Sequence, residues 1–154
     1  MSNLALFLHL TGALAFVAGI VLAGAAFEGA RRRERAAEVV LLLGLARVGA
    51  VLVAGGGLLL LGGGLWLVGL ESDVGFGTGW VDVSLALFAL VVVLGTLGGR
   101  RPRHARELAE RLAGEGRESS PELRALLDDP ASRLANYASA LLVLAILALM
   151  VFKP

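Results

Sequence analysis

Three ionisable side chains, those of His9, Arg47 and Asp82, stand in stretches otherwise built mainly from Leu, Val, Ala and Gly. An ionisable group in apolar surroundings is costly to hold and is a functional candidate by default. His9 has the widest repertoire, since an imidazole can relay a proton, ligate a metal or sit at a haem edge. If the stretch around His9 packs level with the one around Asp82, then Asp82, Thr11 and Ser84 complete a small polar cluster about it. The competing assignment is structural: a solitary imidazole bonded to a backbone carbonyl or a carboxylate, doing nothing more. Two-histidine haem ligation would need a second imidazole at the same depth, and the other histidine, His104, lies in a charged segment. Met150 offers a thioether better suited to apolar filling. His9 and Asp82 alone would leave a metal ion under-coordinated. Arg47 reads as a residue whose stem lies along apolar surface while its guanidinium reaches water. The chain has no cysteine and no phosphate-cradling, paired-carboxylate, zinc-protease or nucleophile-elbow pattern. No residue is assigned a catalytic role, and a non-enzymatic protein is the preferred reading.

The elements that must carry these residues follow from composition. Of 154 residues, 57% are hydrophobic and 18% charged, with a net charge of +1 and a mean hydropathy of +0.81. Average proteins carry about 25% charged residues. The deficit excludes a water-soluble globular domain and argues against a disordered chain or a nucleic-acid-binding surface. Crossing about 30 Å of hydrocarbon takes about 20 apolar residues in a helix, because backbone polar groups find no water there. Four stretches qualify, at 4–27, 48–70, 80–97 and 134–152, and the second continues an apolar lead-in from Val39 that Arg47 divides. The sequence therefore predicts an all-α integral membrane four-helix bundle, one domain over 1–154, with short amphipathic helices in a cytoplasmic segment at 99–133.

Basic residues stay on the cytoplasmic side during insertion. Thirteen of the fourteen lie between spans one and two, counting Arg47, or between spans three and four; only Lys153 falls on the other side. The connection from Glu71 to Gly79 carries Glu71 and Asp73 and no basic residue. Trp66 and Trp80 stand near the external ends of their spans, where an indole favours the headgroup boundary. The expected placement is the bacterial inner membrane, multi-pass, with both termini outside; Arg in preference to Lys and abundant Gly and Ala point to a GC-rich bacterial genome. The first span is 24 residues long, has no basic residue before it and is followed by Arg31, Arg32, Arg33 and Arg35, so it reads as a retained helix rather than a cleaved leader.

Lipid tails are as apolar as Leu, so helices associate in a bilayer through close backbone approach at small residues and through interhelical hydrogen bonds. In the second span Gly49, Gly56 and Gly63 recur every seven residues, as do Gly55, Gly62 and Gly69. In the first, Ala15, Gly19 and Ala23 are four apart, with Gly12 on an adjacent line. The expectation is a tight antiparallel pair, with the triple glycines 55–57 and 62–64 serving packing rather than a functional break in the helix. In the cytoplasmic segment Ala105, Leu108, Ala109 and Leu112 fall at helical spacing, Gly114 and Gly116 end that helix, and Ser120-Pro121 and Asp129-Pro130 are helix starts. The two short helices read as an interfacial amphipathic pair held at anionic headgroups.

The opening Phe7-Leu8-His9-Leu10-Thr11-Gly12 with Gly19, and the closing Leu149-Met150-Val151-Phe152-Lys153-Pro154, resemble a bacterial family known only as predicted integral membrane proteins. The resemblance runs over nearly the whole chain and implies four helices, an Arg-rich first loop, a small-residue-rich second span and a charged third loop. The start of the first span is also similar, more weakly, to copper-resistance D-type proteins and to four-helix membrane protoporphyrinogen oxidases, which implies a ligand role for His9 and a haem cofactor. The oxidase pattern expects a lysine early in the second helix, where this chain offers arginines only. The reading that results is a small accessory or structural unit in the lipid bilayer, packing with itself as a homo-oligomer or with a membrane-protein partner. The alternatives are a haem- or metal-dependent redox protein using His9, and a small transporter, which would need a polar pathway that the sequence scarcely shows.

Overall fold

A computed structural model describes residues 2–70 and 79–152. Six helices follow in order: α1 (Ser2–Arg31), α2 (Ala36–Leu70), α3 (Gly79–Gly98), α4 (Arg100–Gly114), α5 (Pro121–Leu127) and α6 (Pro130–Phe152). No strand occurs among the described residues, and α1, α2, α3 and α6 are each long and apolar enough to cross a membrane. The protein is an all-α membrane bundle. The expectations placed on Glu71, Asp73 and Lys153 lie outside the described residues.

The helices overrun the apolar stretches that announce them. At 1.5 Å per residue, the 35 residues of α2 reach about 52 Å, well past a hydrocarbon core of about 30 Å. Arg47 does not divide it; the lead-in and the span are one helix, unbroken through both triple glycines. On α6 the start lies at Pro130, because Asp129 caps it: Asp129 Oδ2 accepts from the Ser132 amide at 2.9 Å and from the Ser132 hydroxyl at 2.8 Å.

Packing is uneven. The α1–α2 hairpin is by far the closest pair, α3 lies along α6, and α1 meets α6 only sparsely. Between α1 and α2 the backbones nearly touch. A Cβ built on Gly49 would stand 2.7 Å from the Gly19 carbonyl oxygen, one on Gly56 2.9 Å from that of Gly12, and one on Gly63 3.0 Å from that of Ala5. Ala5, Gly12 and Gly19 are thus set opposite Gly63, Gly56 and Gly49, a seven-residue repeat on both strands of an antiparallel pair. Such a repeat keeps one seam facing its partner along a left-handed crossing. The seam of α1 runs through Ala5, Gly12 and Gly19, and Ala15 and Ala23 of the four-residue line meet it too, at Gly56 and Gly49. The two hairpins join where Phe16 packs against Phe88, ring centroids 5.6 Å apart, beside Val91, Val143 and Ile146.

At the Arg-rich end a second, different core forms. Phe27 and Ala30 of α1 and Ala36, Val39 and Leu43 of α2 meet Ala105, Ala109 and Leu112 of α4 and Leu123 and Leu127 of α5. This corrects the reading of α4 and α5 as helices laid on headgroups: their apolar faces are buried against α1 and α2. The reason is the overrun. The ends of α1 and α2 nearest the Arg-rich turn present an apolar flank, and burying it against α4 and α5 removes both faces from water. Gly116, at φ 69°, closes α4 in the left-handed conformation, with the Arg117 and Gly116 amides donating to the Leu112 and Ala113 carbonyls.

Candidate functional site

His9 sits on the α1–α2 seam. Gly63 admits the backbone of His9, whose amide nitrogen would lie 2.7 Å from a Cβ there, and Gly64 admits the ring, whose Nδ1 would lie 3.0 Å from one. In that seat Nδ1 stands 2.8 Å from the Leu60 carbonyl oxygen. A carbonyl only accepts, so Nδ1 carries a proton, and in the neutral ring the lone pair is then on Nε2. The second triple glycine divides its work accordingly. Gly63 serves the backbone, Gly64 serves the imidazole, and Gly62 faces open space. The first triple does likewise: Gly56 meets the α1 backbone, Gly57 meets the rings of Phe16 and Phe88, and Gly55 meets nothing within 4 Å.

The other polar residues of the anticipated cluster have different surroundings. Ser84 is buried, and its hydroxyl donates to the Trp80 carbonyl of its own helix at 2.7 Å. Thr11 is exposed on α1, and Asp82 is exposed in the first turn of α3. Arg47 is exposed on α2, and Glu38 pairs with Arg33 at 3.5 Å. Among the described residues, no three His, Asp or Glu side chains gather closely enough to hold a metal ion.

A family profile described as "Predicted integral membrane protein (DUF2269)" matches residues 3–154. The chain belongs to that family. No curated protein and no solved structure matches it. For this DUF2269 member the family supplies the architecture and leaves the activity open, so the site must be argued from its residues.

Sequence reasoning missed a second polar assembly, at the junction of α1 and α5. The Arg31 guanidinium donates to Glu28 and to Asp128, each at 3.0 Å, and its Nε is buried without a partner. Arg124 donates to the carbonyls of Arg31 and Arg33 just past the last turn of α1, where positive charge offsets the helix dipole. Beside it Arg101 approaches Asp129 at 3.3 Å. The two Ser132 hydrogen bonds, the amide's first, hold the Asp129 carboxyl below its ordinary value of 3.8, and Arg101 adds to the effect. Small residues were the available signal: Ala105 and Ala109, four apart and fully buried, admit α2 closely, a pattern a lipid-facing helix has no need of.

Proposed function

We propose that the protein is a non-enzymatic accessory unit of a bacterial inner membrane, with both termini outside and the α4–α5 head in the cytoplasm. The observation that carries this reading is the continuity of α2, which runs from the glycine seam into the head core without a break. A stiff hairpin that bears a water-side head suits assembly rather than turnover. The outward stripe of α2 supports packing with itself or with a larger membrane complex, since Gly55, Gly62 and Gly69 have nothing within 4 Å. Light scattering of the detergent-purified protein tests it: a defined oligomer or stoichiometric complex is expected, and a strict monomer with measurable turnover would overturn it. Reporter fusions at Gly77 and Gly116 test the orientation. The first should be exported and the second cytoplasmic, and the opposite result reverses the topology.

A second reading has one observation in its favour. An imidazole oriented by a backbone carbonyl through Nδ1, with Nε2 free to ligate, is how metal-binding histidines are commonly held. A haem protein using His9 would show a Soret band that His9→Ala abolishes. A colourless preparation counts against it.

A further inference from the structure

Where α1 and α6 diverge, a groove of about 310 Å³ opens between the two hairpins at the Arg-rich end. Its two ends differ in chemistry. Ile20 and Val21 of α1 and Ala140 of α6 make one end of its lining apolar, while Arg133, Asn136 and Tyr137 make the other end polar. On α6, Arg133 and Ala140 are seven residues apart, about 10 Å at 1.5 Å per residue, with Asn136 and Tyr137 between them. Gly24 lets α6 approach beside the groove: a Cβ there would lie 2.9 Å from Asn136 Nδ2, so the carboxamide rests against bare α1 backbone.

The charge at the polar end is unbalanced. Glu28 also lines the groove, but its oxygens are taken by Arg31 at 3.0 Å and Arg32 at 3.5 Å. Arg133 has no carboxylate within ion-pair distance among the described residues, so its guanidinium is left for an anion from outside the chain. An exposed guanidinium, a phenol and a carboxamide, set beside an apolar slot at the level where headgroups meet acyl chains, match one kind of molecule. Basic pockets between transmembrane helices on the cytoplasmic side take anionic headgroups, and guanidinium is the side chain suited to bidentate contact with phosphate.

We propose that this groove seats one anionic phospholipid of the surrounding bilayer, its phosphate on Arg133 with Tyr137 and Asn136 as further donors, and one acyl chain against Ile20, Val21 and Ala140. The lipid fills the gap that α1 and α6 leave, and so ties the two hairpins together.

Native mass spectrometry of the full chain, released from nanodiscs of equal phosphatidylglycerol and phosphatidylcholine, tests this. One retained phosphatidylglycerol is expected to dominate. Arg133→Gln, an exposed change that leaves the packing intact, should reduce that preference about fivefold, the worth of one basic residue at an anionic surface. Ala140→Phe should remove the bound lipid by filling the slot. Soluble glycerol phosphate in the buffer should displace nothing. Equal retention of the two lipids, or the same phosphatidylglycerol adduct in both variants, overturns the proposal. Loss in Ala140→Phe with unchanged preference in Arg133→Gln also overturns it, since it would mean an apolar guest without headgroup recognition; so would displacement by glycerol phosphate.

Discussion

The α1–α2 seam and the α4–α5 head are both tightly buried, but the seam is closed by small residues alone, whereas the head adds large apolar side chains to its alanines. In the seam the contacts are made by Ala5, Gly12, Gly19, Gly49, Gly56 and Gly63. In the head, Val39, Leu123 and Leu127 are the largest side chains to vanish from the surface. The difference follows from the solvent each region excludes. Burying a Leu gains nothing against lipid tails, so helices in a bilayer gain by bringing backbones together, which small residues permit. Against water, a buried Leu is worth about 1.5–3 kcal/mol, and large residues win. The packing material accordingly changes along α2, between Leu43 of the head core and Gly49 of the seam.

The two regions should therefore fail in opposite ways, the head by removal of atoms and the seam by addition. Leu127→Ala leaves a cavity in the head and should cost about 2–5 kcal/mol, read as a lowered unfolding midpoint in bicelles. Proteolysis should then cut near α5 while the α1–α2 hairpin stays protected; an unchanged midpoint would mean the head is not a core at all. Gly56→Val drives a side chain into the backbone of Phe16 and Gly12 and should cost about 1–3 kcal/mol or more. Its control lies six residues on. Gly62→Val, which meets nothing within 4 Å, should stay within about 0.5 kcal/mol in folding stability while weakening any association through the outer face. Equal damage from the two valines would erase the distinction between the inner and outer faces of α2.

The next effect is smaller and belongs to the head's edge. The Asp129 carboxyl is held below its ordinary value by Ser132, with help from Arg101, so its stabilisation is fully present above pH 3.8 and is lost as the pH falls through the lower folded value. Asp129→Asn should flatten the acid limb of the stability profile below that pH and leave the neutral region little changed beyond loss of the cap charge. An acid limb identical to that of the unsubstituted protein would deny the carboxylate this role.

Much of the fold was legible in the residues because the bilayer leaves few choices: an apolar run of twenty spans it as a helix, and one of the two heptad glycine stripes marks a close approach. The head was less so. Its helices were readable from Pro121, Ser120 and Ala105, but not what they pack against, since an amphipathic face fits a protein flank and a membrane surface alike. Which of the two glycine stripes faces inward was also hidden, because Gly55 and Gly56 differ only by the rotation that α1 imposes. The candidate site was half visible. That His9 is intramembrane follows from its neighbours; that it bonds across to Leu60 depends on a register, Ala5 against Gly63, that no local pattern states.

The bond from His9 to Leu60 supplies the finest comparison, since it adds one polar contact to a seam otherwise made of small residues. The Leu60 carbonyl lies within α2 and has a second lone pair for the imidazole, so removing the ring leaves no orphaned acceptor. Interhelical hydrogen bonds in bilayers average about 0.6 kcal/mol, and His9→Phe should destabilise by about that amount, provided the ring still clears Gly64. The seam glycines then outweigh the histidine several-fold in folding, which is the order expected if backbone approach, and not polar bonding, holds α1 to α2. Nitrogen-15 spectra of ring-labelled protein check the same geometry without a substitution. The proton should reside on Nδ1 and a lone pair on Nε2. A neutral ring with its only proton on Nε2 would deny the hydrogen bond to Leu60 and remove the free donor atom that the haem reading needs.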